Sequence, residues 1–138
     1  MARKDLLHDP TRHSLIKAGW TITNDPLSIK FSGIDFHIDP GANRILTASK
    51  NDENIAVEVK SFAGPSPLTA FHAAVGQFLN YQLVLREKQL DHTLFLAIPE
   101  SAYETFFTTR FGQLAVREHG LRLIVIDDEK EVVIRWIR

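Results

Sequence analysis

Ile55-Ala56-Val57-Glu58-Val59-Lys60-Ser61 is the stretch on which the fold turns. Its β-branched and small apolar residues alternate with polar ones, and that period of two predicts a strand. With Val57 and Val59 on one face, Glu58 and Lys60 share the other. Solvated strand faces often carry such a pair, so the fragment alone leaves two readings open, a water-facing surface or a site. Upstream, Ile34 to Asp39 reads as a strand stopped by Pro40-Gly41, which puts Asp39 19 residues before Glu58. That separation lets two neighbouring strands bring both carboxylates to one point. Downstream, Gly64-Pro65-Ser66-Pro67 reads as a turn into a helix, with Ser66 as N-cap and Pro67 at the first helical position. The helix is predicted to run to about Lys88, with Leu68, Phe71, Val75, Phe78, Leu79, Leu83 and Leu85 as its apolar face. Gly76 and the alanines suggest close packing.

Further out, Arg3 to Ala18 reads as an opening amphipathic helix built on Leu6, Leu7, Leu15 and Ile16 and ended by Gly19. Pro10 marks either a short first turn or a kink. A β-rich region follows: Trp20 to Thr23, Leu27 to Phe31 and Ile34 to Asp39, with turns at Asn24-Asp25-Pro26 and Ser32-Gly33. Ala42 to Ser49 is ambiguous between a strand and a short helix. Thr93 to Ile98 is an apolar strand of the buried kind, Glu100 to Phe107 and Phe111 to Glu118 read as short helices, and Leu121 to Ile126 with Glu131 to Ile137 as a hairpin. This order predicts an α/β protein with a mixed β-sheet flanked by α-helices. There is no GxGxxG and no P-loop, so a dinucleotide or nucleotide-binding reading has no motif behind it.

The 138 residues are 44% hydrophobic, enough for one core, and the expectation is a single domain over 1–138. Sixteen Lys and Arg against 17 Asp and Glu leave a net charge of -1, which argues against a polybasic DNA coater but not against a local basic cleft. The absence of cysteine excludes a disulfide framework, a thiolate nucleophile and Cys-ligated zinc. No stretch has the length of a membrane span or the apolar run of a signal peptide, so a cytoplasmic protein with no membrane contact is expected.

Two carboxylates and a lysine meeting at strand ends suit metal-assisted phosphodiester hydrolysis. Asp39 and Glu58 are the candidate ligands of a hard, oxygen-seeking Mg²⁺ or Mn²⁺, and Lys60 the group that orients a water and offsets charge on the phosphate. Asp39-Pro40 and Glu58-Val59-Lys60 resemble the PD-(D/E)XK nuclease superfamily, with the first dipeptide in reversed order. Gln77-Phe78-Leu79-Asn80-Tyr81 resembles the Q-x-x-x-Y helix motif of RecB-like nucleases, and Gln77 and Tyr81, four apart, share a helix face. That likeness implies a restriction-endonuclease-like fold with Gln77 and Tyr81 shaping the site, against the plainer reading that they edge the core. It also draws attention to an acid on the opening helix. Asp5, His8 and Arg12 fall on one face there, able to reach a metal or phosphate, or simply exposed. Asp35, His37 and Asp39 alternate, which makes His37 a further candidate ligand.

The resemblance extends over nearly the whole chain. Lys4-Asp5-Leu6-Leu7-His8, Leu15 to Pro26, Ala56 to Phe62, Gly76-Gln77, Tyr81, Leu94 to Pro99, Leu121 to Val125 and Trp136 are similar to the XisH family. Its members are called fdxN element excision controlling factors, acting with a recombinase in filamentous cyanobacteria to remove a DNA element. The likeness implies DNA as substrate and excision or recombinase proteins as partners, either as a metal-dependent endonuclease or as an inactive nuclease-fold module that binds a partner. Where the family is expected to carry an acid, this chain has Thr47-Ala48-Ser49-Lys50. A homodimer is the simplest match to two-fold DNA, with Val132 to Ile137 as a candidate contact.

Overall fold

The computed structural model describes residues 6–36 and 45–138. Helix α1 (His8–Lys17) leads into β1 (Thr21–Asn24), a hairpin of β2 (Lys30–Phe31) and β3 (Ile34–Asp35), then β4 (Ile45–Lys50) and β5 (Glu53–Val59). Helix α2 (Pro67–Glu87) precedes β6 (Thr93–Pro99). A short α3 (Glu100–Ala102) runs into a π-helical turn (Tyr103–Phe107), followed by α4 (Arg110–Glu118), β7 (Leu123–Asp127) and β8 (Val132–Ile137). Six strands form a mixed sheet in the order β1-β4-β5-β6-β7-β8. β5, β6 and β7 are parallel, and the outer neighbours are antiparallel.

Parallel neighbours need crossover helices, and α2 and α4 supply them on one face of the sheet. Beneath them Phe71, Phe78 and Tyr81 pack with Ala56, Leu94, Leu96, Leu123 and Val125. On the other face Leu7, Leu15 and Trp20 cover Ile55, Val57, Val59, Phe95 and Ile124. Both faces of β6 and β7 are therefore covered, which accounts for their nearly unbroken apolar sequence. Trp20 and Trp136, 5.7 Å apart, close the second layer as core residues. The approach of α4 to the π-turn requires Gly112, since a Cβ there would stand 2.4 Å from the Phe106 carbonyl oxygen.

Two tight turns set the strand pairing. Asn51 and Asp52, with φ of 50° and 66°, join β4 to β5, and Ser32 and Gly33, with φ of 55° and 76°, join β2 to β3. Positive φ at both central residues is the type I′ hairpin geometry. Among the described residues Lys30–Phe31 pairs with Ile34–Asp35 as a separate two-stranded sheet. The strand expected over 27–31 is thus shorter, the Leu27 N–H being taken by the Ile45 carbonyl, while positions 37–39 of the strand expected over 34–39 lie outside the described residues. The strand beside β5 is therefore β4, and the ambiguous 42–49 stretch is strand from Ile45.

α1 starts at His8, so Pro10 lies in its first turn, where a missing N–H goes unneeded, and no kink arises. In α2 the Ser66 hydroxyl accepts from the Thr69 N–H at 3.2 Å, as a cap should, and Pro67 opens the helix. Its buried side agrees with the predicted one at Phe71, Phe78 and Leu85 and differs from it at Leu68, Leu79 and Leu83. Phe71, Ala74, Phe78, Tyr81, Val84 and Leu85 face the sheet, while Leu68, Leu79 and Leu83 are 46%, 45% and 45% exposed. The helix carries more apolar surface than the sheet can cover. Among the described residues no helix is long and apolar enough to cross a membrane.

Candidate functional site

Glu58 lies in β5 between Ile45 of β4 and Leu96 of β6. Its neighbours Val57 and Val59 belong to the core under α1, whereas Ala56, on Glu58's own face, belongs to the core under α2. Alternation thus directs Glu58 toward the α2 layer, and its exposure is 0%. The Lys60 N–H donates to the Ala97 carbonyl at 3.0 Å and extends the ladder one residue past β5. Lys60 leaves on the Glu58 face and is half-buried. This face is therefore not solvated. Burying a carboxylate costs several kcal/mol unless charge or hydrogen bonding compensates, so a buried acid beside a lysine is a candidate site with a physical rationale.

α2 brings its own pair to this layer. Tyr81 is buried in the core that includes Ala56, and Gln77, one turn earlier on the same helix face, is half-buried. The Phe36 ring meets Tyr81 edge-on at 6.4 Å, and the Phe36 N–H donates to the Ile29 carbonyl at 2.9 Å. Phe36 thus packs against Tyr81. Asp39 and His37 lie outside the described residues, as does Asp5. Asp35 belongs to the β2–β3 hairpin.

The carboxyl ends of β5 and β6 form the rim where ligands bind in open α/β sheets. A cavity of about 120 Å³ opens there, just past Lys60, between Ser61, Phe62, Ser101, Thr105 and Phe106. Phe62 holds a φ of 57°, which costs a bulky residue about 1–3 kcal/mol, and packs edge-on against Phe107 at 5.6 Å.

A second polar cluster sits at the carboxyl end of β1. The His8 Nε2 is 2.8 Å from Asp25 Oδ1 and 2.9 Å from Oδ2, and Arg12 Nη1 donates to Oδ2 at 2.7 Å. His8 is 1% and Asp25 7% exposed. Burial raises the Asp25 pKa, but the hydrogen bonds from His8 and Arg12 and their charge outweigh it, so the carboxyl titrates below its ordinary range. Of the predicted Asp5, His8 and Arg12 face, the last two converge on Asp25. Sequence reading missed this residue because Asn24-Asp25-Pro26 looks like a turn, and nothing in its spacing ties it to α1. The cluster is close to β4, since two residues on, the Leu27 N–H donates to the Ile45 carbonyl at 2.7 Å, and Ile45 pairs with Glu58.

Oxygen donors of the Glu58 type suit Mg²⁺ or Mn²⁺. Among the described residues no three His, Asp or Glu side chains form a metal-ligating group, and of the expected pair Asp39 and Glu58 the structure describes Glu58. In β4, Thr47 takes part in a hydroxyl pair, Thr23 Oγ1 to Thr47 Oγ1 at 2.6 Å, and accepts from Asn24 Nδ2 at 3.2 Å.

A six-stranded mixed sheet flanked by helices, with a buried acid and a half-buried lysine on one face of a central strand, defines the class as an α/β protein with a helix-covered mixed sheet. A family model described as XisH protein matches residues 1–134. The chain belongs to the XisH family, as its sequence led us to expect. It is similar to the crystal structure of an XisH family protein from Nostoc punctiforme PCC 73102, with 38% identity, a TM-score of 0.88, and coverage of 97% of this chain and 100% of that one. It is equally similar in shape to an fdxN element excision controlling factor protein from Anabaena variabilis, with 37% identity, a TM-score of 0.88, and coverage of 96% and 98%. No curated protein matches the chain.

Proposed function

We propose that this protein serves in the excision of a DNA element and does so through a PD-(D/E)XK-type site built on Glu58 and Lys60. The role in excision rests on family membership and on the name of its Anabaena relative. The observation that carries the site is the complete burial of Glu58 two residues before Lys60, on a strand face turned to α2. Glu58 and Asp39 would hold Mg²⁺ or Mn²⁺, which when bound polarises a phosphate and makes a water more acidic. Lys60 orients the attacking water and offsets phosphate charge, and Gln77 and Tyr81 fix the α2 side of the site. Arg12, still 42% exposed, adds positive charge at the same end of the sheet. A bound cation brings charge to the phosphate by itself, so a net charge of -1 is compatible with DNA contact.

The test is Mg²⁺- or Mn²⁺-dependent cleavage of single-stranded, duplex and branched DNA by the wild type, Glu58→Ala and Lys60→Ala. Each substitution is expected to reduce cleavage by about 10²-fold or more, the scale of lost acid–base or electrostatic catalysis. Equal activity in all three proteins would overturn the assignment. The stretch Thr47-Ala48-Ser49-Lys50, which has no acid where the family resemblance implies one, favours a second reading. In it the domain does not cut and acts by binding a recombinase or another excision protein, and retention of that partner by Glu58→Ala distinguishes this from catalysis.

A further inference from the structure

From Ser61 to Leu85 the chain contains no Asp, Glu, Lys or Arg. This stretch holds nearly all of α2, one side of which faces outward. A surface helix normally places charges on the side away from its core. Here that side presents Leu68, Leu79 and Leu83, each close to half exposed, together with exposed His72 and half-buried Val75. Positions 68, 72, 75, 79 and 83 follow steps of four, three, four and four, the spacing of a packed helix–helix seam. Gly76 lies beside the middle of this row, and a Cβ added there would meet nothing within 4 Å.

We propose that this face docks a second copy of the chain, with the two α2 helices antiparallel about a two-fold axis at Val75 and Gly76. The occupant follows from the symmetry of the row. Residues 68 and 83 lie equally far from the 75/76 midpoint, as do 72 and 79. A two-fold therefore sets Leu68 on the second copy's Leu83 and His72 on its Leu79, an isologous contact in which each pairing occurs twice. The missing charge matters too, because a charged face brought against its own copy meets like charge, and this one does not. Gly76 lets the backbones approach where the helices cross.

A helix of this length is about 30 Å long and about 10 Å across, so it offers roughly 300 Å². A standard interface needs about 800 Å² per partner. Further exposed apolar residues lie near both ends of α2. Exposed Phe111 lies 5.9 Å from Phe71 at the amino end. At the carboxyl end, where Lys88 Nζ donates to the Lys30 carbonyl at 2.8 Å, the β2–β3 hairpin presents exposed Phe31 and Ile34. The antiparallel two-fold brings the Phe111 end of one copy to the hairpin end of the other.

The chain has no cysteine, so single-cysteine variants report without background. Gly76→Cys, whose side chain enters open space, is expected to form a disulfide-linked dimer under mild oxidation of the full-length protein. Leu68→Cys alone is expected not to, whereas Leu68→Cys with Leu83→Cys does. Wild type should sediment as a dimer at tens of micromolar and Leu79→Lys as a folded monomer. A wild-type monomer at that concentration overturns the proposal, even if the face then proves to bind an excision protein. Efficient self-linking of Leu68→Cys overturns it as well, since that needs parallel helices. None of these readouts involves DNA or metal, so they stand apart from the cleavage test.

Discussion

The two long helices break the usual inside–outside rule in opposite directions. α1 buries His8, Thr11 and Ser14 next to Leu15 while leaving Ile16 exposed. α2 buries Phe71, Phe78 and Val84 while leaving three leucines exposed. Buried polar groups are tolerable only when hydrogen-bonded, and α1 meets that condition. Thr11 Oγ1 donates to the Leu7 carbonyl at 2.8 Å, Ser14 Oγ to the Pro10 carbonyl at 2.6 Å, and His8 reaches Asp25. The first two bonds stay within the helix, and the third crosses to the end of β1. α1 is thus anchored by polar contacts beside its apolar ones, with His8 and Arg12 on Asp25 and His13 on Glu131, whereas the buried side of α2 is mainly apolar.

Substitutions that remove each kind of support test this contrast. Phe78, fully buried under α2, should have the largest effect. Phe78→Ala is expected to lower unfolding free energy by about 3–5 kcal/mol in denaturant titration, from lost transfer energy plus a cavity. A loss under 1 kcal/mol would mean that α2 is not fixed by its packing. Asp25→Ala should cost about 3 kcal/mol, because it strands a fully buried His8. Its isostere Asp25→Asn separates charge from shape. Asp25 is a stronger acid folded than unfolded, so the folded state binds fewer protons there and gains stability as pH rises. That contribution is complete above the unfolded value of about 3.9 and is lost as pH falls through the lower folded value. Wild type should therefore lose stability more steeply than Asp25→Asn below about pH 4. Parallel slopes would show that the contact carries no net charge effect.

Much of the frame is readable from local rules. Ser66-Pro67 marks the start of α2 because capping chemistry is short-range, and Glu58 and Lys60 share a strand face opposite Val59 because alternation is fixed by the pleat. Residues whose state depends on distant partners are not readable this way. A charged pair on a strand looks the same whether water or a helix lies above it, so only the α2 layer reveals that Glu58 is buried. Asp25 gains its role from α1, which precedes it by a turn and a strand, and a dipeptide before proline gives no hint of that. The apolar face of α2 misleads for a related reason. Leucines meant for the sheet and leucines left outside follow overlapping helical periods, and the sequence does not say which arc the sheet covers.

The smallest of these effects isolates what a cap contributes when no charge is involved. The Ser66 hydroxyl takes one otherwise unpaired N–H at the start of α2, and Ser66→Ala is expected to cost about 1 kcal/mol in denaturant titration. The N-cap of α1 is Leu7, whose side chain has no group able to cap, so the polar anchoring of its first turn comes from the His8–Asp25 contact. Ser66→Ala should therefore shift stability equally at pH 3 and pH 7, whereas Asp25→Asn shifts it unequally. A Ser66→Ala loss that varies with pH would mean that α2, like α1, depends on a titrating partner, and the contrast between the helices would collapse.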